Sequence, residues 1–174
     1  MGNFIRNVGS RGGNMQTVDL NDREALETRF RPPQDISGMA WLKGAQSAQL
    51  DLCTELEGIA DSLPSEVDRK KCTEAAHVIG PLTHNVHRYE EDVVFPWIAS
   101  KLGGRPDLAD TIERLKHEHF EDECFIEELT DALLRLGSGD KTLNAEVVGY
   151  MLRGFFTGIR RHIAFERELL MQAA

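Results

Sequence analysis

Four long segments with a helical spacing of apolar residues constrain the fold more than any other feature of this 174-residue sequence. They follow Gly38 and are separated by three short breakers, SLPSE, KLGGRPD and LGSGDK, which contain glycine, proline and polar turn-forming residues. Nothing in the sequence has the alternating pattern of a β-strand. Because short connections make successive helices antiparallel, we predict an all-α, up-down-up-down four-helix bundle over residues 38–174.

The first 37 residues differ from the rest in composition. They are rich in Gly, Asn and Arg, carry Pro32 and Pro33, and show no sustained helical period. We therefore expect residues 1–37 to form a flexible N-terminal arm, part of which lies over the bundle.

Charge and cysteine content exclude several classes of partner. The net charge is −9, from 29 acidic and 20 basic residues without a basic cluster, which argues against binding to nucleic acid or to an anionic membrane. No apolar run has transmembrane length, and the N-terminus lacks the apolar segment of a signal peptide. The three cysteines form no CxxC pair, which is typical of a reducing compartment. We expect a cytoplasmic protein whose partners are small ligands or an unidentified protein.

Polar residues occupy core positions in every predicted helix. Spacings that alternate between four and three residues define one core stripe for each helix. The polar members of the four stripes are, in chain order, Gln46 and Gln49; His77, His84, His87 and Glu91; His119 and Asp122; and His162 and Glu166. Counting outward from the turns at 1.5 Å per residue places Gln46, the His84–His87 region, His119 and His162 at one level of the bundle. The sequence therefore predicts a single polar layer inside the core.

A metal site is the chemistry that best explains this layer, because several buried ionisable groups are expensive unless they are paired or bind a metal. His87 with Glu91 and His162 with Glu166 are each four residues apart, so an imidazole and a carboxylate from adjacent turns can reach one ion or two neighbouring ions. Nitrogen and carboxylate oxygen ligands suit iron or manganese better than a structural zinc site, although zinc could occupy it.

Some assignments stay open at the level of sequence. One His–Glu pair of this spacing is usually a surface pair or a structural histidine, and the metal hypothesis depends on two pairs occurring with His119. Asp122 and Glu123 could be ligands, acceptors for a histidine N–H or solvated acids, and we favour the role of acceptor.

Three segments, HRYEEDVVFP, LKHEHFEDE and RRHIAFERELL, resemble motifs of the hemerythrin-like proteins, which carry a histidine, histidine, glutamate cation-binding domain. The resemblance covers residues 38–170 and implies a four-helix bundle with a non-haem di-iron centre. Carried over residue by residue, it makes metal ligands of His87, Glu91, His119, His162 and Glu166, with the two glutamates as bridges. The first helix departs from the family, because Gln46 stands where a histidine is usual. His84 is either a substitute ligand or a buried group beside the site.

The functions implied by this resemblance are binding or sensing of O2, NO or iron, in a stress response, by a protein that binds one or two irons. A binding protein is favoured over an enzyme. The alternatives are a degenerate, metal-poor bundle that works as a protein-interaction or regulatory module, and a protein for iron–sulfur repair or iron delivery.

Overall fold

A computed structural model describes residues 28–174, and this part of the chain is built from α-helices without a strand. The helices are α1 (Met39–Ser62), α2 (Arg69–Tyr89), α3 (Phe95–Leu102), α4 (Leu108–Ser138) and α5 (Ala145–Ala173). A π-helical turn, Glu90–Val94, joins α2 to α3, so these two form one continuous bundle helix. The predicted all-α fold with four bundle helices is confirmed.

Local sequence signals explain where the helices begin and end. The Asp68 side chain accepts a hydrogen bond from the backbone N–H of Lys71 and caps α2. Asn144 caps α5 in the same way, through the N–H groups of Glu146 and Val147. Gly139 ends α4 with a φ of 81°, a left-handed conformation that glycine adopts without a steric penalty. The three breakers predicted from the sequence therefore lie at the ends of helices.

The helices pack so that α1 lies against α2 and α5, while α4 lies against α2 and α5. The core stripes predicted for the first, third and fourth bundle helices are buried almost throughout. These three stripes place Gln46, His119 and His162 in the core as expected.

Within residues 28–174, none of the helices combines the length and the apolar character needed to span a membrane.

The stripe predicted for the second bundle helix is only partly correct. His87 is buried as predicted, but His84 is exposed, Glu91 is only partly buried, and the adjacent Glu90 is buried instead. The π-helical turn contributes to this difference, because it has a wider repeat than an α-helix and inserts one extra residue into the pattern. An α-helical ladder extended backward from α3 therefore selects Glu91 rather than Glu90.

The segment that precedes α1 is attached to the bundle. Phe30 is 4% exposed and belongs to the hydrophobic core. The Tyr89 hydroxyl donates a hydrogen bond of 2.8 Å to the backbone carbonyl of Asp35, and the Tyr89 ring packs edge-on against Trp41. Residues 1–27 of the predicted arm lie outside the described residues. The boundary between arm and bundle stays a prediction.

The hydrogen bond from Tyr89 to Asp35 leads to a test of this attachment. Because Tyr89→Phe removes a buried donor and leaves the ring in place, we expect the free energy of unfolding in urea to fall by about 1 kcal/mol. Tyr150 is 71% exposed, so Tyr150→Phe serves as the control and should leave stability unchanged. Equal stabilities of the two variants would contradict the role given to Tyr89.

Candidate metal centre

Four side chains from three parts of the chain converge in the core. Glu90 comes from the π-helical turn, His119 from α4, and His162 and Glu166 from successive turns of α5. One donor atom from each lies within 4.8 Å of the other three. The Nε2 atoms of His119 and His162 are 3.1 Å apart, and Glu166 Oε1 lies 3.2 Å from His162 Nε2. Nothing else among the described residues forms such a group of three or more histidine, cysteine or acidic side chains.

Two carboxylate oxygens of this group have no hydrogen bond within the described residues. Glu90 Oε2 and Glu166 Oε1 are buried, and neither meets a donor in hydrogen-bonding geometry. Glu90 Oε2 lies 3.5 Å from His119 Nε2, close enough for attraction but not aligned as a hydrogen bond. Buried polar atoms are almost always partnered, so these two oxygens fit a cation that all four side chains would share. The donor set of two imidazoles and two carboxylates could therefore hold a metal ion.

Each buried histidine also has a glutamate carboxylate next to Nδ1, which we call its outer nitrogen. His119 Nδ1 is 2.8 Å from Glu91 Oε1, and His162 Nδ1 is 3.0 Å from Glu118 Oε2. His87 Nδ1 is 3.4 Å from Glu123 Oε1. Because an ionised carboxylate can only accept, Nδ1 of each ring donates, and a ring that holds no second proton has a free electron pair on Nε2. Metal-binding histidines in proteins are oriented by this kind of contact.

Gln46 from α1 lies between the two buried glutamates. Its amide nitrogen donates to Glu90 Oε1 at 3.4 Å and to Glu166 Oε2 at 3.3 Å. Its amide oxygen accepts a hydrogen bond of 3.1 Å from Arg167 Nε. Gln46 is 2% exposed, so α1 contributes to the polar layer through an amide rather than an imidazole.

Burial and nearby charges shift the pKa values of the two buried glutamates in opposite directions. Burial, with the nearby Glu166, raises the pKa of Glu90 well above its ordinary value. Burial also acts to raise the pKa of Glu166, but contacts with His119 and His162 outweigh it and lower that pKa. Burial acts to lower the pKa of His162, and its contacts with Glu166 and Glu118 overcome this and raise the pKa to about 9. Without a metal, His162 therefore holds a proton near neutral pH, Glu166 favours its ionised form, and Glu90 keeps its proton to a higher pH than an ordinary glutamate does.

His87 is buried beside the four-donor group without belonging to it. Its ring stacks on His119 with 3.9 Å between the ring centres and an angle of 6° between the planes. Burial lowers the pKa of His87 to about 4, despite the opposing contact with Glu123. His87 is therefore a neutral imidazole at physiological pH.

The structure places the other predicted site residues around this centre rather than in it. His84 is exposed, and Glu91 contacts the outer nitrogen of His119. Glu123 accepts from His87, whereas Asp122 is partly buried and makes no hydrogen bond with a histidine ring of the described chain. Burial raises the pKa of Asp122. The assignment of individual residues as metal ligands stays a prediction.

Three residues of the centre were missed by the sequence reasoning. Glu90 was hidden by the π-helical turn, since an α-helical ladder selects its neighbour. Glu118 precedes His119 and reaches across to His162 on α5, a contact that no spacing within α4 indicates. Arg167 lies next to Glu166, off the core stripe, and its bond to Gln46 depends on how α1 packs against α5.

The protonation states predict how metal affinity depends on pH. His162 must lose a proton before its Nε2 can bind a cation, so binding should release at least one proton near pH 7. Affinity for Mn²⁺ should then rise with pH, by about 10-fold per pH unit for this proton, and level off as the pH passes the His162 pKa of about 9. Calorimetric titrations at pH 6, 7 and 8 in buffers of different ionisation enthalpy measure both quantities. Affinity that does not change with pH would contradict these protonation states.

The outer carboxylates lead to a second prediction. Glu118→Ala removes the acceptor that orients His162, and we expect metal affinity to fall by about 10- to 100-fold. Glu121→Ala is a matched control on the same helix, because Glu121 pairs with His117 where both side chains are exposed. Mn²⁺ titrations of both variants provide the measurement. The prediction fails if Glu118→Ala binds as tightly as Glu121→Ala.

Comparison with known proteins agrees with the fold and with the chemistry of the centre. The family model described as the hemerythrin HHE cation binding domain matches residues 37–174, which include all five α-helices. Searches among curated proteins and among solved structures gave no match. A match over most of the chain, together with a buried His/Glu group suited to a cation, shows that the chain belongs to the hemerythrin HHE cation-binding family.

Proposed function

We propose that this chain is a non-haem iron protein that binds or senses a diatomic gas, O2 or NO, as part of a stress response. Its role is reversible binding rather than turnover. Iron supplies the position at which the gas binds, and the side chains of the bundle hold the iron and shape its surroundings.

The observation that carries the proposal is the pair of carboxylate oxygens without a hydrogen bond in the described chain. Glu90 Oε2 and Glu166 Oε1 face the Nε2 atoms of His119 and His162 in a site that is almost closed to solvent. An uncompensated buried carboxylate costs several kcal/mol, which a bound cation offsets. Without a metal, the protonated His162 and the Gln46 amide compensate part of the charge, but the two oxygens still have no hydrogen bond, so the donor set favours metal binding over a purely structural role.

The donor chemistry supports iron as the metal. Two imidazole nitrogens and two carboxylate oxygens suit iron or manganese, whereas structural zinc sites and copper(I) sites favour thiolates. None of the three cysteines belongs to the four-donor group: Cys53 and Cys72 are buried elsewhere in the core, and Cys124 is exposed. Burial raises the pKa of the Cys53 thiol to about 12 and that of the Cys72 thiol to about 11, so neither is available as a thiolate at neutral pH.

The surroundings of the two glutamates support a small apolar ligand. A narrow space beside Glu90 and Glu166 is lined by aliphatic and aromatic side chains, namely Leu42, Val94, Phe95, Ile98, Leu169 and Leu170. The space is too small to hold a water molecule as it stands, so a ligand reaches the centre only when these side chains move. A diatomic gas requires little movement and no hydrogen bond from such walls, whereas larger polar molecules are disfavoured.

The test is reconstitution with ferrous iron without oxygen, followed by elemental analysis and optical spectra before and after addition of O2 or NO. We expect bound iron and a spectral change with at least one gas. His162→Ala should lose most of the iron, because it removes one of the four converging donors. His117→Ala is the matched control, since His117 is an exposed histidine on α4.

Two outcomes contradict the proposal in different ways. Iron content in His162→Ala equal to that in the control would show that the four-donor group is not the iron site. Normal iron content with spectra unchanged by either gas would leave metal binding in place and rule out the gas-binding role.

A further inference from the structure

In each of the two buried glutamates, one carboxylate oxygen contacts the Gln46 amide and the other faces a histidine nitrogen. Glu90 Oε1 and Glu166 Oε2 accept from the Gln46 amide nitrogen, at 3.4 and 3.3 Å. The remaining oxygens, Glu90 Oε2 and Glu166 Oε1, are the ones that face the histidine nitrogens. A carboxylate that bridges two metal ions must direct one oxygen to each ion. Here the second oxygen of both glutamates is directed to an amide instead.

Arg167 fixes the direction of that amide. Its Nε donates to Gln46 Oε1 at 3.1 Å, so the amide oxygen is turned away from the two glutamates and toward the guanidinium group. The oxygen is the atom of an amide that binds metal ions, whereas the amide nitrogen offers only N–H groups. In this orientation Gln46 presents hydrogen-bond donors, and no ligand, to the side of the glutamates that faces α1.

The other donors that a second ion would need are paired with another group, exposed, or, for His87, outside the four-donor group. Glu91 contacts the outer nitrogen of His119, and His84 is exposed. His87 lies outside the four-donor group, and the described residues contain no second group of three or more metal-binding side chains. The di-iron arrangement implied by the sequence resemblance therefore has donors for one ion and a hydrogen-bonded amide in place of the other.

We infer that Gln46, held by Arg167, restricts this centre to a single metal ion bound by Glu90, Glu166, His119 and His162. The inference rests on the proposed metal function and specifies its stoichiometry. Gln46 and Arg167 act as positioning residues, because they touch the glutamates and each other rather than the ion.

The experiment exchanges the amide for a carboxylate of the same shape. Gln46→Glu replaces the donating NH2 group by an oxygen that can bind metal, while its other oxygen can still accept from Arg167. We expect the unaltered chain to bind one ferrous ion and Gln46→Glu to approach two, counted by elemental analysis and by calorimetric titration without oxygen. Gln49→Glu is the matched control, because Gln49 is the other buried glutamine of α1 and makes no hydrogen bond to either glutamate among the described residues. The number of ferrous ions bound by Gln49→Glu should stay at one.

The outcomes separate this inference from the proposed function. Two ions in the unaltered chain, or one ion in Gln46→Glu, would overturn the restriction by Gln46. A rise to two in both variants would assign the effect to added negative charge and overturn the role of position 46. No bound ion in the unaltered chain would overturn the metal function itself. If circular dichroism shows that Gln46→Glu is unfolded, Gln46→His introduces a neutral ligand at the same position and is judged by the same counts.

Discussion

Two carboxyl groups that face each other inside the bundle impose the main constraint on this structure. Glu90 and Glu166 are 1% and 4% exposed, and a pair of ionised carboxylates cannot be buried together without compensation. The raised pKa of Glu90, which favours its neutral form, the protonated His162 and the Gln46 amide all reduce the repulsion. Each of these contributions comes from a different helix. The interior is therefore organised to balance charge as much as to bury apolar surface.

The outer carboxylates give the centre its shape independently of the ion. Helix α4 supplies His119, and it also supplies Glu118 and Glu123, which contact histidines on α5 and α2. The third outer carboxylate is Glu91, which lies in the π-helical turn and contacts His119. These acids are partly exposed, so they stay in contact with water while the histidine rings that they contact are buried. The partly exposed acids near the surface of the bundle thus orient the buried histidine rings.

Much of the fold could be predicted from the sequence, because the core stripes of three bundle helices follow an unbroken α-helical repeat. The same stripes placed Gln46, His119 and His162 at one level and Glu166 on the core side of the fourth bundle helix, and all four are buried. The second bundle helix defeated this reasoning, since a π-helical turn has no sequence pattern of its own and moves the buried carboxyl group from Glu91 to Glu90. Glu118 and Arg167 could not be found at all. Their roles depend on side chains of a neighbouring helix, which periodicity within one helix does not register.

The π-helical turn also decides which kinds of mutation can rebuild this centre. One residue rotates an α-helix by about 100°, so loss of a single residue from Glu90–Val94 would turn everything that follows relative to what precedes it. Either the carboxyl group would leave the centre, or Val94 and Ile98 would leave the core of the bundle. A point substitution keeps the length of the turn and so leaves both alignments in place. The geometry of the centre is therefore tied to the packing of α3, whose buried residues are Phe95 and Ile98, and an insertion or deletion in the turn would change both.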